Sequence, residues 1–239
     1  MRLISRIDIK NEFVIKGIHL EGLRKLGNPN DFAKKYYKEG IDEIIFHDSV
    51  ASLYERNNIF NVIENAVNDV YIPITISGGI RTIKDIERAL KSGADKIAIN
   101  TQAVRKPKFI EEAVKNFGSQ AIIGSVDFKK NNNGWTVLTE SGRETTGLNA
   151  LDWIKKLEGL GVGEILLTSV DFEGTMKGFD VEFMDEASKS IDIPSLACGG
   201  AGNVDHIVEV TKKTQISGVV FASIIHYGHC NINNIREKI

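Results

Sequence analysis

The sequence predicts an α/β chain folded as one (β/α)8 barrel over residues 1–239, built from two repeated half-barrels. Three observations carry this reading. Short β-rich apolar runs alternate with longer amphipathic stretches from end to end, eight times over, as successive βα units around a parallel sheet require. Runs such as Glu43-Ile-Ile-Phe46 and Glu164-Ile-Leu-Leu167 are nearly continuously apolar, as in strands covered on both faces. The third is an internal repeat: Gly40-Ile-Asp-Glu43 recurs as Gly161-Val-Gly-Glu164, Gly78-Gly79 as Gly199-Gly200, and Asp8 as Asp127, all at nearly one spacing of about half the chain. An open doubly wound sheet would share the first two features; the repeat favours the closed barrel.

Taken in order, the predicted strands cover residues 3–9, 43–47, 72–76, 96–100, 121–127, 164–168, 195–198 and 218–222. The first carries Asp8 near its end and the fifth carries Asp127 at the equivalent place. The second and sixth open on the paired glutamates, and the third and seventh run into the glycine pairs. The fourth ends at Asn100-Thr101 and the eighth at Ala222-Ser223. Helices are predicted in the gaps, at 31–39, 58–68, 83–92, 108–116, 150–160, 181–190, 204–213 and 232–238. No Pro/Gly/Ser-rich linker separates the halves, so they are expected to pack as one domain.

Composition narrows the function. A formal charge of −2 and a pI near 6.2, with both signs of charge intermixed, exclude a one-sided basic surface for nucleic acid or anionic membrane. The two cysteines, Cys198 and Cys230, belong to no CxxC pair, and the histidines have no metal spacing, so no metal and no cofactor are expected. The N-terminal residues MRLISRIDIK contain charges and no apolar span, which implies a soluble, cytoplasmic protein.

In such a barrel, chemistry gathers at the C-terminal ends of the strands and in the loops that follow. Asp8 and Asp127 end strands one and five, which are diametrically opposed in an eight-stranded ring, so two carboxylates face each other across the mouth and suit general acid/base work. A single Asp at such a place more often caps a turn; the pairing by repeat is what favours function. Asp48 and Asp171 also follow strands and either orient a substrate or brace loops. Glycine-rich turns admit an anion against backbone N–H groups. By the repeat, Gly79 joins Asn100 and Thr101 in one phosphate cup, and Gly200 joins Ser223 in another. A substrate with a phosphate at each end follows. His206 is expected on a helix surface, His226 as a cap of the short helix after strand eight, and Trp153 and Phe183 in the core.

Beyond these patterns, specific motifs match a known family. Asp8 with Val14-Ile15-Lys16-Gly17, Gly40-Ile-Asp-Glu43, Ser77-Gly-Gly-Ile80, Gly93-Ala-Asp-Lys96 through Asn100-Thr101, Phe117-Gly-Ser-Gln120, Gly163-Glu-Ile-Leu-Leu-Thr-Ser169 and Gly199-Gly-Ala-Gly202 occur in order over nearly the whole chain. Together they resemble the cyclase subunit of imidazole glycerol phosphate synthase. The resemblance implies a lyase-type cyclisation in histidine biosynthesis, in which ammonia attacks a bis-phosphorylated formimino carboxamide ribonucleotide. It implies Asp8 and Asp127 as the acid/base pair and Lys16 as a substrate contact on a mobile loop. It also implies Gly79, Asn100 and Thr101 at one phosphate, and Gly174, Gly200 and Ser223 at the other, with Thr168 among the substrate-binding residues. It further implies a glutaminase subunit forming a heterodimer at the N-terminal barrel face, with Asp95 at the interface and Arg2, Glu43, Lys96 and Glu164 as an ammonia gate. Those four residues would equally satisfy a structural salt-bridge cluster at the barrel floor.

Some positions depart from the family pattern. Arg6 replaces a small residue two before Asp8 and so shares its inward direction; His19 stands where Asn is usual, and Phe172-Glu173 where Arg-Asp is usual. These changes raise an alternative, a paralogue that channels ammonia to another acceptor such as a surface-sugar amidation enzyme. A third reading is a scaffold that only keeps a glutaminase active.

Overall fold

The structure, a computed structural model, describes residues 1–49 and 59–239. In chain order the strands are β1 (Arg2–Lys10), β2 (Phe13–Ile18), β3 (Glu21–Gly27), β4 (Glu43–Asp48), β5 (Ile74–Ser77), β6 (Lys96–Ile99), β7 (Ile122–Asn131), β8 (Gly134–Thr139), β9 (Glu144–Asn149), β10 (Glu164–Ser169), β11 (Ser195–Cys198) and β12 (Gly218–Phe221). Eight of them pair in parallel in the ring order β1-β4-β5-β6-β7-β10-β11-β12, and β12 returns to β1 with Leu3 opposite Val219. The β7 to β10 pairing, with Ser125 opposite Leu166, joins the two halves. This is the predicted closed (β/α)8 barrel.

The repeat runs deeper than the motifs. β1 continues into the antiparallel hairpin β2–β3, and β7 into β8–β9, so each half begins with a three-stranded extension rising above the ring. The helices Pro29–Lys38, Ile59–Ala66, Ile83–Lys91, Lys108–Phe117, Ala150–Gly159, Val181–Lys189, Val204–Lys213 and the short Ile232–Arg236 follow the predicted positions within a few residues. The predicted start at Asn58 lies outside the described residues. Two further short helices, Thr101–Arg105 and Ser223–His226, follow β6 and β12, again as repeat equivalents.

Local chemistry explains the boundaries. β5 starts at Ile74 rather than at residue 72 because the Ile74 N–H is taken by the Asp95 carboxylate (2.8 Å) and Pro73 has no N–H to give. Thr82 and Asp85 form a capping box that starts the next helix, and Asn149 and Asn203 cap two others through their side chains. Between the ring and the helices lies the main core. There Phe128 packs on Phe183 with ring centroids 3.9 Å apart and the planes tilted by 35°, and Trp135 closes over Phe183 at 5.1 Å. Truncating the fully buried Phe183 to Ala is expected to cost about 3–5 kcal/mol. Trp153 is likewise core.

Inside the ring, strand alternation sorts the inward side chains into layers. Arg2, Glu43, Lys96 and Glu164 form the floor. An apolar layer of Ile4, Ile45, Ala98, Ile123, Leu166, Leu196, Cys198 and Val220 lies above it. Arg6, His47, Ser77, Ser125 and Thr168 come next, and Asp8, Asn100 and Asp127 stand at the mouth.

Candidate functional site at the barrel mouth

β1 and β7 are four steps apart in either direction around the ring, so Asp8 and Asp127 face each other across the mouth. Both are buried, yet their surroundings differ. Asp8 accepts from Arg6 Nε at 2.7 Å and from Lys16 Nζ at 3.0 Å. Burial alone would raise its pKa, but the two cations outweigh that and hold the carboxyl well below the usual carboxylate range. Asp127 accepts an amide hydrogen bond from Asn100 Nδ2 at 2.9 Å. Burial pushes it up to about 6, against the smaller opposing influences of Arg6 and Asn100.

Lys16 reaches this place because the β2–β3 hairpin folds down over the mouth. Lys16 Nζ pairs with Glu173 as well as with Asp8, and its pKa is raised because these carboxylates outweigh its burial. The hairpin is pinned at its tip by the His19 N–H to the Glu173 carbonyl (2.8 Å) and by His19 Nδ1 against the Val170 carbonyl (2.9 Å). Gly174 permits this docking: a Cβ there would lie 2.2 Å from the Gly17 carbonyl oxygen. Arg6, Asp8, Lys16 and Glu173 thus form one buried quartet of two cations and two carboxylates.

Two cavities flank the quartet. The first, about 60 Å³, is lined by Gly78, Gly79, Asn100, Thr101 and Asp127, together with Ser77 and His47. The second, about 10 Å³ and thus near the size of one water, is lined by Gly174, Gly199, Gly200 and Ser223 together with Arg6, Lys16 and Glu173. Gly79, Asn100 and Thr101 thus line one cavity together, and Gly200 and Ser223 the other. The tight turn of the second needs glycine: Gly200 has φ 106°, and a Cβ on it would meet the Gly178 carbonyl at 1.7 Å. Thr168 is paired in register between Asp127 and Cys198, buried and lining neither cavity.

Other expected residues have structural partners. Asp171 accepts from the Lys130 N–H (2.9 Å), the loop-bracing role, and Asp48 is buried at the first cavity. The His206 imidazole takes the Gly202 N–H at 3.3 Å. His226 ends the short helix Ser223–His226, where its Nδ1 meets Tyr36 Oη at 2.6 Å and burial pushes its pKa down to about 3. Among residues not foreseen, His47 bonds Ser77 Oγ (3.0 Å), and burial together with Arg6 lowers its pKa to about 3, leaving a neutral ring at the first cavity. Arg81, Arg105 and Glu140 also line that cavity, with Arg105 paired to Glu140 at 2.8 Å. Arg81 directly follows the Gly78-Gly79-Ile80 turn, which is a readable signal; Glu140 arrives on the unforeseen β8–β9 hairpin, which is not.

At the opposite face, Arg2 pairs with Glu43 (2.8 Å) and with Glu164, and Lys96 pairs with Glu43 (3.1 Å) and Glu164 (3.3 Å). The four close a ring across the barrel floor. Asp95 is exposed beside it. Among the described residues no group of three or more His, Cys, Asp or Glu side chains is placed to hold a metal ion, and no helix is long and apolar enough to cross a membrane.

Fold and site together define a (β/α)8-barrel protein with its polar chemistry gathered at the C-terminal mouth and a charged ring closing its floor. The sequence model for histidine biosynthesis proteins matches residues 2–231, and the chain belongs to that family. It is 50% identical over 206 residues to the imidazole glycerol phosphate synthase subunit HisF of Legionella pneumophila, covering 86% of this chain and 97% of that relative. Subunits of the same name from two Bacillus cereus strains, Q1 and G9842, are 43% and 42% identical over 239 residues, all of this chain and 95% of each relative.

Proposed function

We propose that this chain is the cyclase subunit of imidazole glycerol phosphate synthase. In this reading it uses ammonia from a glutaminase partner to convert a bis-phosphorylated formimino carboxamide ribonucleotide to imidazole glycerol phosphate and aminoimidazole carboxamide ribonucleotide. The observation that carries the proposal is a pair of repeat-related carboxylates facing each other between two glycine cups. A ligand with a phosphate at each end would span the mouth, one end by Gly79, Asn100 and Thr101 and the other by Gly174, Gly200 and Ser223. Its reacting centre would then lie between Asp8 and Asp127. The names of the relatives support the cyclase over an ammonia-conducting paralogue.

The two carboxylates would divide the proton work by environment. Asp127, with a pKa near 6, exchanges a proton easily at neutrality and suits the general base. Asp8, ionised at all working pH values, offers fixed negative charge to a developing cation. Lys16, already buried over the site, would hold the substrate beneath the closed hairpin and keep water out.

Ammonia would enter from the floor, where a glutaminase subunit docks beside Asp95. The ring of Arg2, Glu43, Lys96 and Glu164 would serve as its gate. Above that ring, the apolar layer suits a small neutral molecule and disfavours its charged conjugate acid. Residues 1–239 would act as one cytoplasmic barrel unit, and no further cofactor is required by this chemistry. The deciding experiment is turnover of the bis-phosphate with ammonium salt at raised pH and no partner present. Formation of both products supports the cyclase; their absence, with glutaminase activity still stimulated by the chain, would favour the conducting paralogue.

A further inference from the structure

Arg6 stands where the Gly200/Ser223 cup meets the top of the apolar interior. Its side chain is buried, its Nε is spent on Asp8, and Nη1 lies 3.6 Å from Cys198 Sγ. It also lines the small cavity with Gly199, Gly200 and Ser223. At the equivalent strand position of the other half, two before Asp127, stands the uncharged Ser125. At this strand position a cation is therefore present in one half of the repeat and absent from the other.

Glu173 explains why a cation there matters. Its buried carboxylate lines the same cavity and by itself would repel an incoming anion. The quartet is neutral while empty, so a dianion arriving by Gly200 and Ser223 leaves more anions than cations to pair them. A phosphate presents several acceptor oxygens to the guanidinium fork and binds it more strongly than a single carboxylate oxygen does. We propose that Arg6 is a phosphate-binding residue of the Gly200/Ser223 cup, and that a phosphate seated there takes the guanidinium from Asp8 and so frees that carboxylate for the reaction. Asp8 retains Lys16. Only a side chain that already lines the cup has to turn. The release of Asp8 rests on the cyclase reading, whereas the anion contact does not.

The test is a titration of the full chain with inorganic phosphate, followed by NMR on the arginine Nε–H signals, with the Arg6 signal assigned in the wild type by through-bond correlation to its own backbone amide. Amide signals of Gly200 and Ser223 report the second cup, and those of Gly79 and Thr101 the first. The expected result is a saturable shift of the Arg6 signal in step with Gly200 and Ser223, not reproduced by chloride at equal ionic strength. In Arg6→Cys, affinity at the second cup should fall about tenfold or more, as for loss of a charged hydrogen bond, while the first cup keeps its affinity. An Arg6 signal that stays put while Gly79 and Thr101 saturate would overturn the proposal, and the wild-type arm needs no variant to fold. So would undiminished binding by Arg6→Cys. Turnover is a separate readout: if the bis-phosphate is never converted by any form, the cyclase reading fails while the phosphate titration still decides the role of Arg6.

Discussion

Asp8 and Asp127 occupy equivalent ends of β1 and β7, but Asp8 is clasped by Arg6 and Lys16 whereas Asp127, among the described residues, accepts from the Asn100 amide. One scaffold position, used twice, thus yields one carboxylate held well below the usual range and one pushed up to about 6. Replacing either by Asn is expected to lower ammonium-dependent cyclisation by about 10²–10⁴-fold while substrate binding persists. Steady-state turnover of the two variants, beside ligand binding by calorimetry, measures this; near-native turnover in either would remove that aspartate from the mechanism.

The pKa of Asp127 also sets a pH dependence. As a base it must be ionised, so turnover at constant free ammonia should rise as pH climbs through about 6, and Asp127→Asn should lose that step. Stability runs the other way. The folded pKa lies above the unfolded value near 3.9, so the native state holds the extra proton between these limits and stability declines as pH rises from about 4 to 6. Asp127→Asn should therefore melt higher than wild type above pH 6 and show no such gain at pH 4, read by thermal denaturation at several pH values.

The Arg6 to Asp8 pairing predicts a split in steady-state constants. Arg6→Cys strips a cation from the second cup, so KM for the bis-phosphate should rise; kcat with ammonium salt should change little, because in the wild type the seated phosphate already draws the guanidinium off Asp8. Equal constants in the two proteins would make Arg6 a bystander to catalysis.

The floor ring predicts a selective defect. Glu164→Gln leaves Arg2 and Lys96 sharing one carboxylate, and the partly buried excess charge should hold the ring away from its paired geometry. Glutamine-driven turnover with the glutaminase partner should fall by about tenfold or more, an effect on the scale of losing a charged hydrogen bond, while turnover with added ammonium salt changes little. A parallel fall in both assays would point to a structural cluster instead.

Much of this could be read from residues alone, because the informative features are periodic or repeated. The short runs of Ile, Leu and Val placed the ring strands, and the doubled glycine pairs and aspartates pointed to residues that line the two cavities at the mouth. The two hairpins escaped for different reasons. β7–β8 turns at Asn131-Asn-Asn-Gly134, a legible Asn/Gly signal with alternating Trp135 and Val137 after it. The β2–β3 turn instead uses His19 and Leu20 at φ 51° and 63°, a left-handed pair that no glycine announces. It is held by contacts with Val170 and Glu173, residues far away in sequence. The quartet could not be foreseen as a unit either, since Lys16 and Glu173 meet only after that hairpin has docked.

The imbalance between Arg6 and Ser125 bears on how a ligand enters. A duplicated barrel with matching cups would accept a bis-phosphate in two opposite orientations, one of them unproductive, because its ends look alike to each half. The cups do not match: the one at Gly200 presents Arg6 and Lys16 beside Glu173, and the one at Gly79 presents Arg81 and Arg105 beside Glu140. On the reading proposed above, each end of the ligand meets a different arrangement of charges, and one orientation is preferred. Side chains that break the repeat thereby give a symmetric vessel a head and a tail.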